Sequence, residues 1–316
     1  MKHQDQKQKQ RFFRKLNTAA IILCAGVFLF CAGVLVYQFV ILPQKSDVAT
    51  DAAKTLYRGT PGSAVSGSSE AGDGTNPLEE LQKVNPDVEG WITVPGTVID
   101  YPVLHTPQND QDYYLTHDWQ KQSTKYGSIF TVGSGQAAPG ESRVLFGHSM
   151  RDGRMFASLL KYGGLDFYRS HPTFTYQDKD GKTQWKIFAV IKVNTEPSQG
   201  QPFNYLRTDF STDDDFFGFL YQVRLRSVLT IPVDLRASDE ILALSTCSYE
   251  FDEFRTAVFA RQVRPGESAS VETGAASVNA KTLYPDCWYK KYGGQKPSFP
   301  SFAEAKEQGQ IPWLTP

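Results

Sequence analysis

The sequence predicts a mainly β domain, closed as a barrel and carried behind an apolar N-terminal helix. Three observations predict it. Short apolar runs alternate with polar residues between positions 91 and 263, Asp178-Lys179-Asp180-Gly181 has the composition of a hairpin turn, and residues 19–42 carry no charge. Period-two alternation buries one face of a strand and wets the other, and Gly-containing turns of this kind join antiparallel neighbours.

Residues 1–18 hold Lys2, Lys7, Lys9, Arg11, Arg14 and Lys15 against Asp5 alone. The uncharged run that follows is 24 residues long, and about 20 suffice to cross a bilayer as a helix. Positive charge stays on the cytoplasmic side. The reading is a single-pass cell-membrane protein, N-terminus cytoplasmic, with residues 43–316 extracellular. The run exceeds a signal-peptide core and no small-residue cleavage site follows it, which favours a retained anchor over a cleaved signal. Residues 43–77, rich in Gly and Ser towards their end, read as a flexible stalk. A short helix at 77–85 then opens the folded domain, expected over 78–264.

Within that domain, residues 91–104 alternate around Pro95-Gly96 as paired strands do, and 109–119 read as a short helix or turn. Residues 127–132 and 143–148 are strand-like, 153–163 helical and ended by Gly163, and 171–193 a hairpin. Ser211 and Thr212 are capping residues before a helix with Phe216, Leu220 and Val223 on one face. Two strands close the domain, 240–249 and 254–263, and the whole reads as mainly antiparallel. The tail, 265–316, shows no period. The net charge is −1 and no basic stripe stands out, so a nucleic-acid partner is excluded.

Three polar residues sit at the ends of these strands. Period two puts Cys247 on one face with Ile241, Ala243 and Ser245. His148 ends its strand after Gly147, a residue that allows an unusual turn or a close approach. Arg255 opens the last strand, and a hairpin would bring it beside Cys247. A thiol attacks as thiolate, which a neighbouring cation favours. An imidazole can return a proton to a leaving amine, and a guanidinium can stabilise a developing oxyanion without losing its charge. Ser245 could donate a hydrogen bond into the site. Asp152 and Asp252 are candidates for an acidic third member by sequence proximity.

The segment Leu244-Ser245-Thr246-Cys247, with Arg255 eight residues on, resembles the nucleophile signature of sortases. The segment Phe146-Gly147-His148-Ser149-Met150-Arg151-Asp152-Gly153 resembles their histidine segment, in its class B form. So do Asn85-Pro86-Asp87-Val88-Glu89-Gly90-Trp91-Ile92, Ile99-Asp100-Tyr101-Pro102-Val103, Asp112-Tyr113-Tyr114-Leu115 and Gly127-Ser128-Ile129-Phe130, in one consistent order over about 80–263. The resemblance implies an eight-stranded β barrel with N-terminal helices and a helix inserted before the nucleophile strand. It implies His148, Cys247 and Arg255 as catalytic residues, with no cofactor and no metal. It also implies a transpeptidase of Gram-positive cells. Such an enzyme cleaves a C-terminal sorting motif of a secreted protein after Thr and passes the acyl group to an amine of a cell-wall precursor or a pilin. The class B form favours an Asn-Pro-x-Thr or related motif. The sequence departs from the signature at Ala243, where the family has Thr, and in the length of its tail.

The same three residues would serve a membrane-tethered cysteine protease with water as acceptor. A stalked barrel with an aromatic tail is also what a non-catalytic wall-binding module would need. His105, His117, His171 and Cys287 match no zinc spacing. Asp213, Asp214 and Asp215 lack a calcium-loop pattern and suit the first turn of a helix. Tyr284, Trp288, Tyr289, Tyr292, Lys290, Lys291 and Lys296 in the tail either contact wall polymer or a partner, or pack onto the barrel.

Overall fold

The computed structural model describes residues 2–59, 76–132 and 142–314. The first compact unit, Met1–Asp51, is helical: α1 (Lys2–Val36), a π-helical turn at Tyr37–Ile41, and the start of α2 (Leu42–Arg58). The run Asn17–Arg58 is long and apolar enough to cross a membrane. The expected stalk therefore begins as helix. Its Ala-rich stretch is a good helix former, and the end of α2 finds partners in the second unit, Ala52–Pro316. Ala53 is fully buried, Tyr57 stacks on Trp91 at 4.3 Å, and Arg58 donates to both Asp100 carboxylate oxygens at 2.8 and 2.7 Å. Residues 60–75 of the expected stalk lie outside the described residues.

The second unit is built on eight strands: β1 (Val88–Thr93), β2 (Asp100–His105), β3 (Ile129–Thr131), β4 (Ser142–Phe146), β5 (Thr173–Asp178), β6 (Gly181–Asn194), β8 (Ile241–Ser248) and β9 (Phe254–Gln262). They close in the order β1-β2-β3-β4-β8-β9-β6-β5, with β5 returning to β1. Closure removes the exposed edges that an open sheet would present. Two pairings are parallel, β2 with β3 and β4 with β8. The barrel is thus mixed, and mainly antiparallel as expected: the other six pairings run antiparallel. The chain between β2 and β3 and that between β4 and β8 is long enough to cross over and return in the same direction, as a parallel pair requires. Val103, Leu145, Val190 and Leu244 are fully enclosed. Burial of this kind stabilises by about 25 cal/mol per Å² of apolar surface.

The expected short helix before β1 is α3 (Glu79–Val84), and the expected hairpin is present, β5 against β6 with Asp178 opposite Gly181. The helical stretch after His148 is 3₁₀, Phe156–Gly163, and leads into α4 (Leu165–Ser170). Helix α5 (Asp213–Arg226) follows the cap at Thr212, whose hydroxyl accepts from the Asp215 amide at 3.2 Å. Phe216, Leu220 and Val223 are buried as their spacing predicts. Phe219 is buried in the same core, against Phe210 and Phe259, and Tyr221 is buried because α5 has a second neighbour: Tyr221 and Ala305 share a small cluster that includes Phe302.

That neighbour is the tail. It pairs β10 (Ser277–Val278) with β7 (Leu229–Thr230) and forms α6 (Asp286–Tyr292) and α7 (Phe302–Glu307). Ser301 and Glu304 cap α7 reciprocally. The tail aromatics pack on the barrel side: Trp288 stacks on Tyr284 at 4.0 Å and lies 6.4 Å from Phe254 of β9.

Candidate active site

At one end of the barrel a cleft of about 900 Å³ is lined by His148, Ser245, Cys247 and Arg255 together with Leu115, Thr195 and Tyr205. Three strands supply the polar groups. Cys247 and Arg255 are directly opposed across the β8–β9 ladder, the pairing that a hairpin there predicts. His148 arrives from β4, whose parallel register against β8 sets Phe146 beside Ser245. The Gly147 amide donates to the Ser245 carbonyl at 3.2 Å, and Thr246 Oγ1 donates to the Gly147 carbonyl at 2.7 Å. These bonds bind the histidine turn to the thiol strand, and the Tyr249 hydroxyl donates to the Ser149 carbonyl alongside them.

Gly147 is required by space. A Cβ there would overlap the Ile129 Cδ1 methyl and stand 3.0 Å from the Phe156 ring. Next to it, His148 Nε2 lies 2.8 Å from the Leu115 carbonyl. A carbonyl only accepts, so Nε2 carries the hydrogen and Nδ1 is the nitrogen that can exchange a proton in the neutral ring. Leu115 is itself fixed by Gly127. At φ +59 the glycine takes a left-handed turn, and a Cβ there would meet the carbonyl oxygens of Tyr114 and Leu115 at 2.5 and 2.7 Å. The fully buried Asn85 anchors the same loop, donating to the Tyr114 hydroxyl at 2.9 Å and to the Trp119 carbonyl at 2.8 Å.

Arg255 is held by two tethers. Nη1 donates to the Phe254 carbonyl at 3.1 Å and Nη2 to Glu253 Oε2 at 2.8 Å. Burial works against the guanidinium charge, but the Glu253 carboxylate and the Cys247 sulfur outweigh it and raise its pKa above the ordinary value. The cation therefore persists at any working pH. The Ser245 hydroxyl is 2.9 Å from that of Tyr205. Burial raises the Tyr205 pKa, so this pair is a neutral hydrogen-bonding wall of the cleft.

Asp152 and Asp252 do not line the cleft. Asp152 accepts from Tyr126 at 2.8 Å and pairs with Arg154, and the Asp252 carbonyl accepts from Gln199. The partner of His148 is a backbone carbonyl instead, which has no sequence signature. Tyr205 escaped sequence reading because it lies in an irregular loop; Glu253 stood two residues before Arg255 and was within reach of it. Ala243 is fully buried, opposite Val144 and Phe259, and is a packing residue. Cys247 and Cys287 are both free thiols. His105, His117 and His171 each make separate local bonds, and no group of three or more metal-ligating side chains gathers among the described residues. Asp215 pairs with Arg207 and Asp214 with Lys306.

A thiol beside a fixed cation, with an imidazole across the same cleft, is chemistry suited to acyl transfer. Comparison with known proteins agrees: residues 92–263 match the sortase domain. The chain belongs to the sortase family. Sortase B of Listeria monocytogenes is 34% identical over 241 residues, which cover 75% of this chain and 92% of that protein. The Staphylococcus aureus sortase B–substrate complex superposes with a TM-score of 0.53 at 33% identity, covering 60% of this chain and 85% of that one. Sortase B of B. anthracis in complex with AAEK1 gives 0.60 at 27% identity, over 71% and 99%. The chain is thus a sortase B homologue, a cysteine transpeptidase with the eight-stranded mixed barrel of that fold.

Proposed function

We propose that this sortase cleaves a C-terminal sorting motif of a secreted protein after its Thr, and passes the acyl group to an amine of a cell-wall precursor or a pilin. Cys247 attacks the Thr carbonyl as thiolate. The oxygen of the tetrahedral intermediate gains negative charge beside Arg255, whose free N–H groups stabilise it in a partly dry cleft. His148 donates a proton to the departing amine, the C–N bond breaks, and a thioester on Cys247 remains. The acceptor amine then attacks, returns a proton to His148 and releases the thiolate. Ser245 and Tyr205 shape the wall that receives the motif.

The observation that carries this reading is the opposed Cys247–Arg255 pair with His148 lining the same cleft. The S. aureus relative is known as a substrate complex, which supports a substrate-binding role for this cleft. The basic N-terminus and the apolar run support a cytoplasmic N-terminus and a catalytic domain outside the membrane. Mass spectrometry of products from a small Asn-Pro-x-Thr peptide library, with and without candidate amines, tests it. Amine-dependent ligation product is expected; hydrolysis indifferent to amine would make the protein a protease instead.

A further inference from the structure

The sortase match ends at residue 263, yet the chain beyond it folds back onto the loop that joins Cys247 to Arg255. Residues 249–253 form that loop, and its carbonyls are held from outside. Thr195 Oγ1 donates to the Glu253 carbonyl and Gln199 Nε2 to that of Asp252, each at 2.8 Å. The third grip comes from the tail: Lys291 Nζ in α6 donates to the Glu250 carbonyl at 2.8 Å and lies 4.6 Å from the Phe251 ring centre.

Trp288, one turn earlier on α6, stands 6.2 Å from Phe251 and 6.4 Å from Phe254 by ring centres. Phe254 is fully buried and directly precedes Arg255, and its carbonyl is one of the two tethers of the guanidinium. The other tether, Glu253, has φ +53. A non-glycine residue keeps that left-handed conformation only where its surroundings over-determine it.

We propose that Trp288 and Lys291 are positioning residues for Arg255: the C-terminal extension clamps the 249–253 loop, and through Phe254 and Glu253 it fixes where the guanidinium points in the cleft. The inference rests on the role given to Arg255 above. A cation aimed at the developing oxyanion acts mainly in the transition state, so loosening the clamp lowers kcat more than it changes KM.

The test uses the full chain in detergent micelles, with a sorting-motif peptide and an amine acceptor. Trp288→Ala, Trp288→Phe and Lys291→Met are each measured with Arg255 intact and with Arg255→Lys, and melting curves are recorded for all. Misplacing a catalytic group by about 1 Å costs up to about 100-fold. Trp288→Ala should accordingly lower kcat at least about tenfold with KM nearly unchanged, and Trp288→Phe should recover most of the loss. In the Arg255→Lys background Trp288→Ala should have almost no further effect, because the two changes act through one group.

Equal loss in both backgrounds would mark Trp288 as merely structural and overturn the inference. So would wild-type kcat for Trp288→Ala. Should Trp288→Ala fail to fold, the exposed Lys291→Met carries the same comparison, with a smaller loss of the same sign expected and equal loss in both backgrounds again counting against it. Arg255→Ala serves as the reference. Full turnover there would remove the role of Arg255 itself, a failure distinct from that of the clamp.

Discussion

Gly147→Ala tests how tightly the barrel holds its histidine. Gly147 does not have a positive φ, so space is what the site lacks. The added methyl overlaps Ile129 Cδ1 and sits 3.0 and 3.1 Å from two atoms of the Phe156 ring. Ile129 and Phe156 are both fully buried, so neither can swing into solvent. Overpacking of a closed core costs about 1–3 kcal/mol, or about 2–12 °C in Tm for a domain of this size. The strain is relieved most readily by moving the 147–149 turn, which carries His148 away from the thiol strand. A displacement of about 1 Å lowers turnover about 100-fold. Thermal melts and kcat/KM on a sorting-motif peptide measure both effects. Adding Ile129→Val removes the Cδ1 methyl and should restore part of the activity. A Gly147→Ala protein with unchanged Tm and unchanged turnover would refute the close-packing argument, and failure of Ile129→Val to help would move the conflict to Phe156 alone.

Arg255→Lys keeps the charge but cannot both replace the bonds to Phe254 and Glu253 and aim a planar fork at the oxyanion; kcat should fall about 100-fold or more, and near-normal turnover would refute the fork. Cys287→Ser should leave turnover intact, since that thiol lies in α6 outside the cleft residues; loss of activity would reassign the nucleophile. Just past the end of β9, Glu267 accepts from Arg261 at 2.8 and 2.7 Å and from Lys186 at 2.6 Å. The Arg261 bonds, against the cost of burial and with help from Lys186, hold its pKa far below the ordinary range. A depressed carboxylate contributes stability that is fully present above its unfolded pKa of about 4.3 and is lost as pH falls from there towards its folded value. Melting curves should show Tm dropping below about pH 4, with a flatter acid limb for Glu267→Gln; identical limbs would exclude Glu267 as a source of acid sensitivity.

The strands were legible because their alternation is local: β5 and β6 with their Asp-Gly turn, and β8 with β9, follow from residues within a few positions of each other. The parallel pairings were not legible. Period two says which face of a strand is buried but not which strand lies beside it, and β4 meets β8 only after nearly a hundred residues. Helix α2 was hidden for a related reason. Its stability inside the second unit comes from Tyr57 on Trp91 and Arg58 on Asp100, contacts that no local pattern announces. The tail lacked a period because α6 and α7 are a turn or two long and held by a few aromatics rather than by an apolar stripe.

In the cleft, the chemistry-bearing side chains were legible by type and position, Cys247 and Arg255 through the hairpin and His148 through its Gly-His strand end. What orients them was not. The Leu115 carbonyl could belong to any residue, and its placement depends on Asn85 and Gly127 from two other segments.

The most direct test of the proposed chemistry is to quench the full chain with acid during turnover of a sorting-motif peptide and map the acylated residue by mass spectrometry. An acyl group carried through Thr onto Cys247, absent after addition of an amine acceptor, is the predicted result. Turnover that proceeds with the acyl group on Cys287, or with Cys247 replaced by Ala, would contradict it.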